Sequence, residues 1–133
     1  MPITTPPAPI TWPGSDLEWL VYWALTVPLK KQEGIDFTYQ SARFGGKKMY
    51  GGIVLHFLMT DGTNIALDIE GEYWHYGQSS ELAAAILRRE RASTAHIQLI
   101  FLDGSDIRRD VVYYTKEALA GVDHSRMAHI TGR

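Results

Sequence analysis

Residues 64–77 read NIALDIEGEYWHYG, and the fold and the chemistry both turn on how this stretch is read. Ile65, Leu67 and Ile69 alternate with Ala66, Asp68 and Glu70. Side chains of a β-strand point alternately to its two faces, so the alternation predicts one wholly apolar face and one face carrying two carboxylates. Two carboxylates two positions apart repel each other, and each needs a partner if it is taken out of water. A divalent cation answers both needs; the alternative is a solvent-facing strand with ordinary acidic residues. Mg²⁺ prefers oxygen ligands and is commonly held by one or two carboxylates, with waters and phosphate oxygens completing its shell. Beyond Glu70, Gly71 permits a bend. Glu72 follows, His75 is either a surface residue at the strand end or a general acid or base able to bond a phosphate, and Tyr73, Trp74 and Tyr76 read first as core or interface side chains and second as platforms for bases.

Upstream, Ile53 to Met59 (IVLHFLM) is a nearly continuous apolar run and predicts a strand buried on both faces. Asp61-Gly62 is a turn signal, so this run and a strand over 65–74 form a hairpin. Its register decides whether His56 reaches the acidic face. With a three-residue Asp-Gly-Thr loop, Thr60 pairs with Asn64, His56 stands opposite Asp68, and Val54 stands opposite Glu70. With a two-residue loop Leu55 faces Asp68 instead. The Asp-Gly-Thr loop favours the first arrangement. His56 in that place is a candidate metal ligand, or equally a satisfied core histidine.

Further out, Ser15 and Glu18 have capping-box spacing, and Leu17, Leu20, Val21, Ala24 and Leu25 share a helical stripe that Pro28 ends. A helix over 16–26 is expected, and Glu18 reads first as the partner of the Ser15 cap. Ile35 to Gln40 reads as a strand. Arg43 to Gly52, with four glycines and two lysines, reads as a flexible basic loop. Ser79 or Ser80 opens a helix whose stripe is Leu82, Ala85, Ile86 and Arg89, with the charge run Arg88 to Arg91 at its end, where the helix dipole favours cations. His96 to Leu102 reads as a buried strand, Asp103-Gly104 as a turn, and Val111 to Ala120 as a last helix closed by Gly121. The expected fold is α/β, in the order α-β-β-β-α-β-α, with a mixed sheet flanked by helices.

The 133 residues suit one domain, with 45% apolar residues to build a core. Residues 1–14 hold five of the six prolines and read as an arm, docking on a neighbouring subunit or forming a loose tail. Residues 15–121 form the domain and 122–133 a polar tail. The chain has no cysteine, which excludes disulfides and thiolate metal sites and fits a reducing compartment such as the cytoplasm. No apolar run reaches the ~18 residues of a membrane span, so no membrane partner is expected. The N-terminus lacks the pattern of a secretory signal. A net charge of −2 argues against a strongly basic nucleic-acid binder but leaves room for a local basic groove.

The stretch Leu67-Asp68-Ile69-Glu70-Gly71-Glu72-Tyr73-Trp74-His75 resembles the third-strand motif of the very-short-patch-repair endonuclease relatives within the PD-(D/E)XK nucleases. Gly51-Gly52-Ile53-Val54-Leu55-His56-Phe57 is similar to their second strand, and the likeness spans roughly residues 15–120. The resemblance implies a restriction-endonuclease-like fold and a DNA phosphodiesterase using Mg²⁺ or Mn²⁺. It makes Asp68 a metal ligand, puts Glu70 where lysine is common, and sets His75 beside the scissile phosphate. It matches Glu18 to the carboxylate of the first helix. His56 stands where the family has a metal-binding aspartate, and histidine suits Mn²⁺ or Zn²⁺ better than Mg²⁺. Lys47, Lys48, Arg88, Arg89 and Arg91 form either a solvated face or a rim contacting phosphates. The rival expectation is a non-catalytic interaction protein that keeps the fold, for example a virion or assembly component using the proline-rich arm.

Overall fold

The computed structural model describes residues 5–39, 48–49, 53–70 and 79–130. The elements run α1 (Asp16–Thr26), β1 (Phe37–Tyr39), β2 (Lys48–Met49), β3 (Ile53–Val54), β4 (Phe57–Met59), β5 (Ile65–Glu70), α2 (Ser79–Thr94), β6 (Gln98–Asp103), α3 (Gly104–Leu119) and α4 (Arg126–Ile130). A four-stranded mixed sheet has the order β1-β4-β5-β6. β1, β4 and β5 form an antiparallel meander, and β6 lies parallel to β5 after the crossover through α2. β2 and β3 form a separate two-stranded sheet.

The alternation along β5 sorts the core into two layers. Ile65, Leu67 and Ile69 join Phe57, Met59, Ile100 and Leu102 beneath α1 and α3. Ala66 joins Leu58, Leu99 and Phe101 on the other face, against Ala85 and Ala92 of α2 and Met127 of α4. Each large apolar side chain fully buried in this way contributes roughly 1.5–3 kcal/mol over its exposed state. The hairpin adopts the three-residue register, with Phe57 paired to Leu67 and Leu58 to Ala66. Asp61 Oδ1 accepts from the Thr63 amide and hydroxyl, and Gly62 takes the positive φ of 95° that the loop needs.

Helix α1 spans the expected residues. Ser15 Oγ accepts from the Glu18 amide at 3.2 Å and donates to Glu18 Oε2 at 3.0 Å. The capping box therefore closes side chain to side chain. The described part of the arm folds back on its own chain. Trp12 stacks on Tyr39 at 4.9 Å and packs against Trp19 and Tyr22 at 5.2 and 5.0 Å. Trp19 Nε1 donates to Pro6 O at 2.9 Å.

Three expectations are corrected. The apolar run 53–59 is not one strand. Val54 pairs with Lys48, the chain bends at His56, and β4 begins at Phe57, so Val54 does not face Glu70. Helix α2 carries Arg91 in its last turn, as expected. It continues to Thr94, and His96 (φ 63°) reverses the chain as Ile97 N bonds Ala92 O at 2.9 Å. Asp103-Gly104 is not a turn, because Asp103 is still paired with Glu70 and α3 starts at Gly104. That helix is kinked at Asp110, whose Oδ1 accepts from Tyr113 N and caps the second half, the part expected from sequence. Finally, the C-terminal segment is not a polar tail. Met127 is fully buried, Phe101 N donates to Asp123 Oδ2, and Arg126 N donates to Asp103 Oδ2, so residues 121–127 cover the outer edge of β6.

Candidate functional site

Asp68 and Glu70 share the α2-facing side of β5 and are only 3% and 5% exposed. The cation they require comes from the helix above them. Arg88 Nη2 lies 2.8 Å from Asp68 Oδ2 and 2.9 Å from Glu70 Oε1, and Arg88 Nε donates to Asp68 Oδ2 at 2.9 Å. The guanidinium carbon stands 5.9 Å from the centre of the Phe101 ring. Across the hairpin, His56 Nδ1 lies 2.8 Å from Asp68 Oδ1.

These contacts separate the protonation behaviour of the two carboxyls. Burial pushes Asp68 up, but the His56 hydrogen bond and the charges of His56 and Arg88 more than offset it, and its pKa lies below the usual value. Glu70 is pushed up to about 7, by burial first and then by the Asp68 charge. Burial works against a charged His56 as well, yet the bond to Asp68 raises its pKa above the usual value.

The sequence-derived residues divide clearly. Asp68, Glu70 and His56 come together, and Arg88 joins them as their ion-pair partner. Glu18 serves the helix cap and accepts a 2.5 Å hydrogen bond from Tyr39 OH. Its negative charge is still felt at His56. Arg89 is half-buried and Arg91 exposed on α2, and neither pairs with Asp68 or Glu70. Lys48 lies in β2. Lys47, Glu72, Tyr73, Trp74, His75 and Tyr76 fall outside the described residues. Asp103, the parallel partner of Glu70, was not singled out by sequence, although its charge raises Glu70 further. Arg88 carried a usable signal, since Ala85, Arg88 and Ala92 are spaced i, i+3, i+7 and the two alanines are fully buried.

Two carboxylate oxygens converge on one cationic nitrogen, so the position between them is filled by Arg88. Among the described residues no three His, Asp or Glu side chains form a group that could hold a metal ion. A cavity of about 400 Å³ between α1 and the kink of α3, lined in part by Leu20, Trp23, Arg108 and Val111, lies on the opposite face of the sheet from the acidic pair.

Fold and site together define a mixed α/β domain with a four-stranded sheet and a buried charge cluster at the C-terminal end of its parallel strand pair. Comparison with family models, with curated proteins and with solved structures finds no match to this chain. Among the described residues no helix is long and apolar enough to cross a membrane.

Proposed function

We propose that the chain is a PD-(D/E)XK-like phosphodiesterase acting on DNA with Mg²⁺ or Mn²⁺. The observation that carries this reading is the convergence of Asp68 Oδ2 and Glu70 Oε1 on one cation position, 2.8 and 2.9 Å from Arg88 Nη2. Counting only the strands of the four-stranded sheet, the order α1-β1-β4-β5-α2-β6 supports it, since the acidic strand is interior and followed by a crossover helix and a parallel neighbour. Asp68 and Glu70 would hold the ion, with His56 fixing Asp68 through its other oxygen. A bound divalent ion supplies a water of lowered pKa and neutralises charge developing on the phosphorus oxygens. Glu70, with a pKa of about 7, exchanges a proton readily near neutral pH. The family resemblance gives His75 the place beside the phosphate and makes Lys47, Lys48, Arg89 and Arg91 backbone contacts.

A second reading, a non-catalytic interaction protein of the cytoplasm or of a virion, is favoured by one observation. Arg88 and His56 already satisfy Asp68 and Glu70 within the chain. Incubation with supercoiled plasmid separates the two. Weak nicking in Mn²⁺, weaker in Mg²⁺ and abolished by Asp68→Asn, supports the phosphodiesterase. No cleavage in either metal, by the wild type or by His56→Asp, supports the interaction protein.

A further inference from the structure

The cavity between α1 and α3 lies on the face of the sheet away from the acidic pair. Its volume of about 400 Å³ is within the roughly 300–1,000 Å³ of small-molecule sites. Leu20, Trp23, Ile107, Val111 and Val112 give it an apolar wall. Its polar groups come from three sources. The first is Trp23, which is only 8% exposed. Trp12 Nε1 donates to Ser15 O and Trp19 Nε1 to Pro6 O, but Trp23 Nε1 has no acceptor among the described residues. Among those residues the fully covered side-chain polar atoms without a partner are the hydroxyls of Thr38 and Thr115, so the Trp23 N–H keeps access to open space, and the open space beside it is the cavity. The second source is the kink. No proline or glycine stands between Ser105 and Tyr113, yet Asp110 leaves helical geometry, and Val111 and Val112 begin the second half of α3. Asp110 Oδ1 takes the Tyr113 amide, and a helix start leaves the amides before it without an intrahelical acceptor. The third source is Arg108 and Arg109, both exposed on the rim. Arg109 donates to Tyr114 OH and lies 3.5 Å from Asp106, which leaves part of its donor fork unused.

We infer that this cavity binds a small anionic molecule with a flat apolar body, of the aromatic carboxylate class. The Trp23 N–H, the amides at the kink and the two guanidinium groups are all donors, and a carboxylate accepts from such groups. The lining carries two guanidinium groups against one carboxylate, that of Asp110, so the local charge is positive although the chain as a whole is −2. The flat body packs against Leu20 and Trp23 and takes their apolar surface out of water. A neutral apolar molecule would fill the same wall but leave the Trp23 N–H unpaired in a dry site, which is costly. A small inorganic anion would meet the donors and leave the wall wet.

The probe is 1-naphthoate, and its control is 1-naphthylmethanol, which keeps the rings and replaces the carboxylate by an alcohol. Calorimetric titration of the full chain should show naphthoate binding roughly tenfold tighter than the alcohol, the size of one hydrogen bond to a charged group. In ¹H–¹⁵N spectra the Trp23 indole N–H signal should move on titration with naphthoate, while that of Trp19, whose N–H is bonded to Pro6 O, stays in place. The double variant Arg108→Gln, Arg109→Gln changes two exposed side chains and should lower naphthoate affinity to that of the alcohol, with alcohol binding unchanged. Val112→Trp narrows the cavity and should weaken both ligands. If Val112→Trp does not fold, the arginine variant and the Trp23 signal decide. The inference is overturned by naphthoate binding that leaves the Trp23 signal in place, by equal affinity for acid and alcohol, by undiminished binding in the arginine variant, or by no binding of naphthoate at all.

Discussion

His56 faces Asp68 across the β4–β5 hairpin, Nδ1 to Oδ1 at 2.8 Å. The same ring nitrogen lies 2.8 Å from the Ile69 amide nitrogen. One nitrogen cannot accept from the amide and donate to the carboxylate together. A neutral ring with its proton on Nε2 accepts from Ile69, and a protonated ring donates to Asp68. Substituting His56→Asp removes the donor to Asp68 and sets a third carboxylate beside the pair, leaving Arg88 as the one compensating cation. Without metal the variant should lose about 3 kcal/mol in urea unfolding. Calorimetry should show tighter Mg²⁺ and Mn²⁺ binding than in the wild type, because a hard anionic oxygen joins the ligand set. A loss of stability with no gain in binding would remove His56 from the metal site.

Glu70 sets a pH dependence of stability. Its carboxyl has a pKa of about 7 in the folded chain against a usual 4.5, so the folded state binds the extra proton between those values. Stability therefore falls as pH rises from 4.5 to about 7, by on the order of 3 kcal/mol. His56, raised above its usual 6.5, holds stability below that value and loses it as pH rises through its folded pKa. Asp68, lowered below 3.8, contributes stability above that value and loses it as pH falls through its folded pKa. Unfolding free energy should be greater at about pH 5 than at about pH 8. In Glu70→Gln the slope between these points should shrink to the part that His56 supplies, and an unchanged slope would exclude Glu70 as its source.

Trp12 ties the proline-rich segment to the domain. It contacts Tyr39, Trp19 and Tyr22, and its Nε1 donates to Ser15 O at 3.0 Å. Trp12→Ala should cost about 2 kcal/mol, since Trp12 is half-buried and loses three aromatic contacts. Gly14→Ala beside it should also destabilise, because a Cβ there would stand 2.1 Å from the Tyr39 hydroxyl. Thermal melts of both variants test the contact. Wild-type melting of Trp12→Ala would mean that the segment is not docked in solution.

The covered edge of β6 gives a further expectation. Met127 is fully buried against the α2-facing layer, and Ser125 and Asp123 hold the turn that brings it there, with Asp123 Oδ1 accepting from Ser125 N at 2.9 Å. Met127→Ala should cost about 2–4 kcal/mol. Ending the chain after Val122 should go further, because it uncovers the Phe101 amide on an edge strand and invites pairing with another chain. Light scattering during refolding should show association of the truncated chain and none of the wild type.

The features legible from residue order alone lie close along the chain. Ser15 and Glu18 marked the start of α1 and Pro28 its limit, because capping and ring closure act within a few residues. Asp61-Gly62-Thr63 fixed the hairpin register, and through it the pairing of His56 with Asp68, because a strand alternates strictly and a loop length sets its phase. The rest depended on contacts between distant segments. Val54 left the main sheet to pair with Lys48, and Met127 was drawn out of a polar segment to fill the layer beneath α2. Arg88 became the partner of Asp68 and Glu70 because the crossover from β5 to β6 lays α2 over the acidic face. On the chain those residues stand 20 and 18 positions apart, beyond the reach of turn chemistry or helical spacing. The demand for a cation was written into the strand, but its identity was decided by the burial that made an unpaired carboxylate too costly to leave.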